Sequence, residues 1–214
     1  MQGIKDYINS FYALEEGLLG LIQQNAYDNN VPIIPLEVVA FLKTLLSSKQ
    51  PKNILEIGCA IGFSASLFAN TCPNAQITTI ERYGYMIDKA KQNFDALGIS
   101  KRINLIEKDA IEALPDLVEL GLTYDFIFLD AGKGQYLNFL PHIQKLLAKN
   151  AILVADNILQ DGTLVLDESQ IVKRQRTTYR NMKQFLTNTF SDLFNATILP
   201  IGDGLLFATK LEES

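Results

Sequence analysis

Short apolar runs alternate with amphipathic stretches from Asn53 onward, and this alternation restricts the fold more than any other feature of the chain. Five runs have the length and composition of strands: NILEI (53–57), QITTIE (76–81), INLIE (103–107), DFIFLD (125–130) and AILVAD (151–156). Strands that alternate with helices form βαβ units, in which the strands are parallel. Because runs such as IFLD and ILVA are apolar on both faces, helices must cover both sides of the sheet. The pattern therefore predicts an α/β fold with three layers.

The C-terminal end departs from this alternation. ATILPI (196–201) and LLFATK (205–210) are separated only by Gly202, Asp203 and Gly204. So short a connection predicts an antiparallel hairpin, which would complete a mostly parallel sheet of seven strands. The all-parallel sheet of dinucleotide-binding dehydrogenases has no such edge.

Two further helices are predicted ahead of the first strand. Apolar residues recur at helical spacing over 4–24 and 35–47, and the prolines of the intervening VPIIP segment (31–35) disfavour helix. We expect residues 1–50 to pack on or cap a site and to serve the interface of a homodimer. The chain has 214 residues, of which 48% are hydrophobic, and it lacks repeats, so one domain spanning 1–214 is predicted.

Charge and cysteine usage exclude several classes of protein. The net charge of −5 gives no general affinity for polyanions, so that a nucleic-acid partner would require a local basic patch. Cys59 and Cys72 lack the spacing of a zinc site or a disulfide framework, which predicts free thiols in a reducing cytoplasm. The sequence shows no export signal and no run of about 18 apolar residues, so a cytoplasmic protein without a membrane span is expected. The single histidine, His142, is expected to have a surface or packing role.

A glycine-containing segment, Glu56 to Ser64, lies where the first strand is predicted to turn into a helix. Its glycines, Gly58 and Gly62, allow close approach of the backbone to a ligand, and N–H groups at a helix start can bind a carboxylate or hydroxyls. The GxxxG spacing differs from the GxGxxG of dinucleotide binders and favours a nucleoside with an amino-acid tail over NAD. Taken alone, the segment could equally be a structural turn. Glu81 supports the ligand interpretation, because a carboxylate at the end of the second strand can accept hydrogen bonds from ribose hydroxyls.

Asp109 and Ala110 follow the third strand, at the edge of the sheet where the adenine of such a nucleoside would lie. A short polar residue at this point can contact the adenine edge. The alternative is that Asp109 caps the helix beginning at Ala110, and the sequence leaves both interpretations open.

A second set of polar residues follows the fourth and fifth strands. Asp130 ends one run, and Asp156 and Asn157 end the next. Because open α/β sheets bind their ligands at the carboxyl ends of the strands, these side chains are expected to converge. Two carboxylates and an amide oxygen suit Mg²⁺, although Asp-Asn at a strand end is also common in ordinary turns and caps. Lys133 is placed to act as a general base or as a fixed positive charge, or it is simply a solvated loop lysine.

These residues carry a resemblance that covers nearly the whole chain from about Val31, through LEIGCAIGFSA, TIER, FIFLDAGKGQY, VADN and PIGDG. The chain resembles the cation-dependent O-methyltransferases of the catechol and caffeoyl-CoA type, which implies a Rossmann-like class I methyltransferase fold. The resemblance implies S-adenosylmethionine and Mg²⁺ as cofactors, with metal ligands at Asp130, Asp156 and Asn157. It places catalytic residues at Lys133 and Asp130, and cofactor-binding residues at Ile34, Glu56, Gly58, Ser64, Glu81, Asp109, Ala110 and Asp130.

Within that family, the segments VPI, DAGKGQYLNF, DNILQDG and IGDGL are similar to the bacterial branch that converts 5-hydroxyuridine to 5-methoxyuridine at the tRNA anticodon wobble position. The aromatic or histidine residues that flank the metal in catechol enzymes are replaced by Ala131 and Gly132, which predicts a more open mouth. A basic cluster, Lys173, Arg174, Arg176 and Arg180, could follow the backbone of a tRNA anticodon stem-loop, although a run of this kind is often a solvated helix face. The alternative substrate is a small phenol with vicinal hydroxyls.

Overall fold

The computed structural model describes residues 2–190 and 193–211, so that the two ends of the predicted domain lie outside the described residues. Neighbouring strands of the sheet follow the order β3-β2-β1-β4-β5-β7-β6. The strands are β1 (Asn53–Ile57), β2 (Gln76–Glu81), β3 (Ile103–Glu107), β4 (Tyr124–Leu129), β5 (Leu147–Ala155), β6 (Phe194–Leu199) and β7 (Leu205–Lys210). The helices are α1 (Gln2–Asn9), α2 (Gly17–Asp28), α3 (Leu36–Lys49), α4 (Phe63–Thr71), α5 (Gly84–Ala96), α6 (Ala110–Glu119), α7 (Tyr136–Leu146) and α8 (Arg176–Thr189).

The predicted sheet is confirmed. β1 to β5 pair in parallel, whereas β7 pairs antiparallel with both β5 and β6. β5 begins four residues before the predicted run, since it starts at Leu147 rather than at Ala151. Its pairing with β4 jumps from Leu147 to Ile152, and Asn150 between them has a φ of 58°. Because of this irregularity, the start of β5 lacks the regular alternation by which a strand is recognised in a sequence.

Helices cover both faces of the sheet, as three layers require. Successive residues of the central strands point to opposite faces, so Ile127 packs with the core beneath α6, α7 and α8, while Phe126 and Phe128 pack with the core beneath α3, α4 and α5. All three side chains are almost completely buried. Burial on both faces explains why the central runs are apolar throughout. None of the described helices is long and apolar enough to cross a bilayer.

Of the two predicted N-terminal helices, the one over 35–47 is confirmed as α3, but the one over 4–24 is wrong because it is divided into α1 and α2. The chain folds back between them: the backbone N–H of Glu15 donates to the buried Gln23 side chain at 2.9 Å. The fold-back is so close that a Cβ on Gly20 would lie 1.8 Å from the Glu15 carbonyl oxygen. Gly17 begins α2 with a φ of 62°, which favours glycine. Apolar residues keep their helical spacing across the point where the chain folds back, so the spacing alone could not show that the helix is interrupted between α1 and α2.

Candidate active site

The carboxyl ends of β1, β4 and β5 lie side by side, and a cleft of about 860 Å³ opens above them. Backbone hydrogen bonds fix the residues that follow the strands: the Asp130 N–H donates to Ile57 O at 2.9 Å, and the Asp156 N–H donates to Leu129 O at 3.0 Å. The volume lies within the usual range for small-molecule sites. Every predicted cofactor, metal and catalytic residue except Glu56 lines the cleft: Ile34, Gly58, Ser64, Glu81, Asp109, Ala110, Asp130, Lys133, Asp156 and Asn157.

The glycine loop after β1 forms the floor of the cleft. Gly58 has a φ of 105°, and a Cβ there would lie 1.9 Å from the Asp130 carbonyl oxygen. Only glycine therefore allows the loop to approach the end of β4 so closely. Gly62 is similarly restricted, since its φ is 79° and an added Cβ would lie 2.5 Å from the Phe94 ring. Both glycines are therefore required by contacts within the protein, and the close approach to a ligand that the sequence pattern predicted stays a prediction.

Glu81 is held rigidly at the end of β2. Its Oε2 accepts a hydrogen bond from the Ala60 N–H at 2.8 Å, and its Oε1 accepts from the N–H groups of Arg82 and Tyr83 at 2.8 and 2.9 Å. Three backbone donors stabilise the charge of this largely buried carboxylate. The side chain lines the cleft, in the position from which it could accept hydrogen bonds from a ribose.

Glu56 lies beneath the cleft and is completely buried. Thr79 Oγ1 donates to its Oε2, but Oε1 has no hydrogen-bond partner among the described residues. Burial raises the pKa of this carboxyl to about 7, and the nearby charges of Asp130 and Glu81 add to the rise, although the Ser64 and Thr79 hydroxyls oppose it. An unpartnered carboxylate oxygen in the interior is costly, and a positively charged ligand group would relieve it. The ammonium of an amino-acid tail is such a group.

Asp109 has the local role that the sequence left open. It is the N-cap of α6, and its Oδ1 accepts a hydrogen bond from the Ile111 N–H at 3.0 Å. Its Oδ2 pairs with Arg82 Nη1 at 2.7 Å. The Ile111 N–H, followed by Arg82, lowers the pKa of the carboxyl. The side chain also lines the cleft, so its predicted contact with adenine stays a prediction.

Asp130 and Asp156 form the acidic part of the cleft. Burial raises the pKa of both carboxyls, and that of Asp156 reaches about 7 because burial is reinforced by the neighbouring Asp130 charge. Lys133 lowers both pKa values, and the Asn157 N–H, which donates to Asp156 Oδ1 at 2.7 Å, lowers the second. Asn157 adopts a φ of 53°, in the left-handed region that asparagine tolerates. A bound cation would stabilise this pair of like charges, of which Asp156 is buried and Asp130 is partly buried.

The donor set fits Mg²⁺. Among the described residues, no group of three or more His, Cys, Asp or Glu side chains could hold a metal. The candidate ligands in the cleft are instead the carboxylates of Asp130 and Asp156 and the amide oxygen of Asn157. Mg²⁺ is commonly held by one or two carboxylates and keeps its other positions for water or substrate oxygens. Asp130, Asp156 and Asn157 therefore suit this ion, whereas soft metals that require thiolates or imidazoles are a poor match.

Two further elements shape the cleft, the linker that carries Ile34 and helix α8, to which the sequence analysis assigned no part in the cleft. The α2–α3 linker forms one wall, where the Tyr27 hydroxyl donates to the Ile34 carbonyl at 3.1 Å. On the other side, the Asn181 side chain of α8 donates to the Gly134 carbonyl at 3.0 Å and so supports the loop that carries Lys133. Asn181 has no recognisable signal in the sequence, because its partner is a backbone carbonyl 47 positions away.

The predicted basic cluster does not enter the cleft. Lys173 and Arg174 are exposed, while the Arg176 Nε donates to the Ile171 carbonyl at 2.9 Å. Arg180 pairs with Glu168 in the preceding loop. Two of the four cations are thus engaged locally, so the cluster is not a row of free charges along one helix. Thr178 of α8 does line the cleft.

Known proteins resemble this chain over nearly its full length. Residues 11–211 match the O-methyltransferase family. A catechol O-methyltransferase from Niastella koreensis is 30% identical over 202 residues, covering 92% of this chain and 90% of that protein. A caffeoyl-CoA O-methyltransferase from Stellaria longipes is 29% identical over 177 residues, covering 79% of this chain and 73% of that protein. The structure of an O-methyltransferase of tomaymycin synthesis from Streptomyces achromogenes, in complex with S-adenosylmethionine, has the same fold, with a TM-score of 0.84, 21% identity and coverage of 98% and 96%.

These matches confirm the resemblance that the sequence motifs predicted. They agree with the sheet order, in which an antiparallel strand follows five parallel ones. The chain belongs to the O-methyltransferase family, as an S-adenosylmethionine-dependent enzyme of the catechol and caffeoyl-CoA type.

Proposed function

We propose that this enzyme methylates one hydroxyl of a small phenol that carries two adjacent oxygens, with a divalent cation, Mg²⁺, held by Asp130, Asp156 and Asn157. The observation that carries the proposal is a pair of carboxylates, the buried Asp156 and the partly buried Asp130, at neighbouring strand ends in the cofactor cleft. A methyl transfer needs no acidic pair of its own. A cation at this point would explain why the pair is present.

The cation, held by Asp130, Asp156 and Asn157, would supply a positive charge that lowers the pKa of the hydroxyl that attacks. The residues of the chain then have separate tasks. Glu81 would accept hydrogen bonds from the ribose, and the buried Glu56 would attract the ammonium at the amino-acid end of the donor. Together they would orient its sulfonium methyl group. Lys133 contributes a positive charge that stabilises the developing oxyanion. As the oxygen–carbon bond forms, the carbon–sulfur bond breaks, S-adenosylhomocysteine leaves, and the hydroxyl proton is lost to water.

The small phenol is preferred over a tRNA uridine for two reasons. The relatives reported above are named for catechol and for caffeoyl-CoA, both of which carry vicinal hydroxyls. In addition, Arg176 and Arg180, which the tRNA hypothesis requires for phosphate contacts, are bound to groups of the protein itself. The 5-hydroxyuridine hypothesis nevertheless shares the same chemistry, because O5 and O4 of that base are also adjacent oxygens.

The experiment supplies S-adenosylmethionine with a labelled methyl group to the purified enzyme and measures transfer to three acceptors. These are catechol-type phenols including caffeoyl-CoA, matched phenols with a single hydroxyl, and tRNA that contains 5-hydroxyuridine. We expect transfer to the vicinal phenols alone, its loss in EDTA, and its recovery with Mg²⁺. Transfer only to tRNA would overturn the choice of substrate and leave the metal assignment intact.

The metal assignment has its own test in Asp156→Ala. The variant should lose at least about 100-fold in turnover, because one cation ligand is removed from the reacting centre. Circular dichroism should show that it still folds. Unchanged turnover in a Mg²⁺-dependent assay would remove Asp156 from the site.

We also propose a homodimer formed through the N-terminal helices. The support is the apolar surface of the first segment, where Ile4, Tyr7 and Phe11 are each more than 60% exposed. Sedimentation equilibrium of the full chain should give twice the monomer mass, and Tyr7→Asp should shift it towards the monomer. A monomeric wild type at micromolar concentration would contradict this.

A further inference from the structure

Tyr136 lies directly behind the proposed metal ligands. It is the first residue of α7, its side chain is completely buried, and its ring packs edge-on against Phe185 with the centroids 5.5 Å apart. The hydroxyl lies 3.2 Å from the Leu129 carbonyl oxygen and 3.1 Å from the Asp156 carbonyl oxygen. Its single O–H is therefore placed to donate to either carbonyl or to be shared between them.

The two carbonyls belong to the peptide groups that lead into the ligands. One peptide group joins Leu129 to Asp130, and the other joins Asp156 to Asn157. Because a peptide group is planar, fixing its carbonyl also fixes the direction in which the next residue leaves it. One hydroxyl thus touches the backbone at the base of all three proposed ligands.

The hydroxyl lies where the ladder between β4 and β5 ends. The last paired residues are Leu129 and Ala155, and the final bond runs from the Asp156 N–H to the Leu129 carbonyl at 3.0 Å. Beyond this bond the ladder no longer fixes the distance between the strands. The Tyr136 hydroxyl bridges β4 and β5 at the next position. It therefore helps to fix the distance between the two chain segments where the proposed ligands follow the strands.

We propose that Tyr136 is a positioning residue that sets the spacing of Asp130, Asp156 and Asn157 and thereby the affinity of the cleft for a divalent cation. This inference rests on the proposed function, since it concerns the same metal site. The Tyr136 hydroxyl bonds to backbone carbonyls at the base of these ligands, and the side chain does not line the cleft, so its effect on catalysis is indirect. Groups behind the ligands of metal sites commonly change affinity by about 10- to 100-fold.

The test compares Tyr136→Phe with Tyr124→Phe in the full-length enzyme. Both substitutions remove one buried tyrosine hydroxyl and keep the ring, and Tyr124 begins the same strand that Asp130 follows, at the opposite end of the sheet. The probe is Mn²⁺, whose free concentration is followed by electron paramagnetic resonance without any turnover. Binding of S-adenosylmethionine in EDTA is measured by calorimetry, and the urea midpoint is measured for each protein.

We expect Tyr136→Phe to weaken Mn²⁺ binding by about 10-fold or more, with Tyr124→Phe near wild type and cofactor binding unchanged in both. Raising the cation concentration should restore much of the turnover of Tyr136→Phe. Equal Mn²⁺ affinity in Tyr136→Phe and wild type would overturn the inference and leave the proposed function standing. A parallel loss in Tyr124→Phe would also overturn it, because the effect would then follow stability. Failure of the wild type to bind Mn²⁺ would overturn the metal proposal and this inference with it.

Discussion

Replacing Glu56 by Gln should make the cofactor-free protein more stable while weakening its binding of S-adenosylmethionine. Glu56 is completely buried, and burial raises its pKa from 4.5 to about 7. Glutamine has nearly the same shape and no charge. Its side-chain oxygen can still accept the hydrogen bond that Thr79 donates to Glu56.

The size of the effect follows from the pKa of Glu56. A rise from 4.5 to about 7 corresponds to a penalty of roughly 3 kcal/mol for the charged carboxylate in the folded state. The folded protein binds more protons than the unfolded chain between these pH values, so the free energy of unfolding falls as the pH rises through that interval. The penalty is absent below about pH 4.5 and complete above about pH 7. Because the buried amide of glutamine also requires partners, we expect a net gain of about 1 to 3 kcal/mol at pH 8.

Urea unfolding followed by far-ultraviolet circular dichroism can measure this gain, since the chain contains no tryptophan for a fluorescence assay. The buffers contain EDTA and no cofactor, and the pH is stepped from 5 to 8. Glu112→Gln, which neutralises an exposed carboxylate on α6, serves as the matched control. The difference between Glu56→Gln and wild type should grow with pH, whereas the control should stay near zero. A Glu56→Gln protein that is less stable at pH 8, or a gain that is independent of pH, would refute the reasoning.

The same substitution should reduce the affinity for S-adenosylmethionine. If Glu56 receives the ammonium of the donor, its loss removes a hydrogen bond between charged groups, which contributes about 1.5 to 3 kcal/mol. That range corresponds to a rise in Kd of about 10- to 100-fold, which calorimetry at pH 8 can measure. A stable variant that binds the donor poorly would separate the function of Glu56 from its contribution to folding.

Three further substitutions test the cleft. Gly58→Ala should destabilise the fold by at least about 3 kcal/mol in urea unfolding, because the added Cβ would lie 1.9 Å from the Asp130 carbonyl oxygen. The control is Gly84→Ala, where an added Cβ would meet no atom within 4 Å. Asn181→Ala should lower kcat by about 10-fold at a nearly unchanged urea midpoint, since it releases the Gly134 carbonyl and the loop around Lys133. Lys133→Met should lower kcat by about 100-fold. Lys133→Arg should recover part of this loss if the positive charge of Lys133 matters more than proton transfer. Equal kcat values for the two variants would contradict a role for the charge.

Much of the fold was predictable because the sequence pattern reflects burial. Phe126 to Leu129 are apolar at every position because helices cover both faces of the sheet. The parallel order of the strands then places Asp130, Asp156 and Asn157 at one edge. The break between α1 and α2 was not predictable, since it depends on the buried Gln23 side chain accepting a bond from the Glu15 backbone.

The contacts that support the site could not be predicted from the sequence either. Tyr136 and Asn181 act on backbone carbonyls, and every residue has one. No residue type at the receiving position marks such a contact, so motif spacing reveals the groups that meet ligands but not the groups that hold them in place. The structure is required to find the second kind.

The burial of several acidic residues at the cleft is unfavourable for folding of the protein without ligands. Glu56, Glu81 and Asp156 are buried and Asp130 is partly buried, and the pKa values of Glu56 and Asp156 reach about 7. Lys133 lowers the pKa of both aspartates, but its charge does not bring either pKa back to the ordinary value. The proposed ligands supply the missing charge, since the donor brings a sulfonium and an ammonium and the metal brings two positive charges. Below about pH 7 these cations must displace protons from the carboxyls, so the burial that weakens the empty protein also makes ligand binding depend on pH.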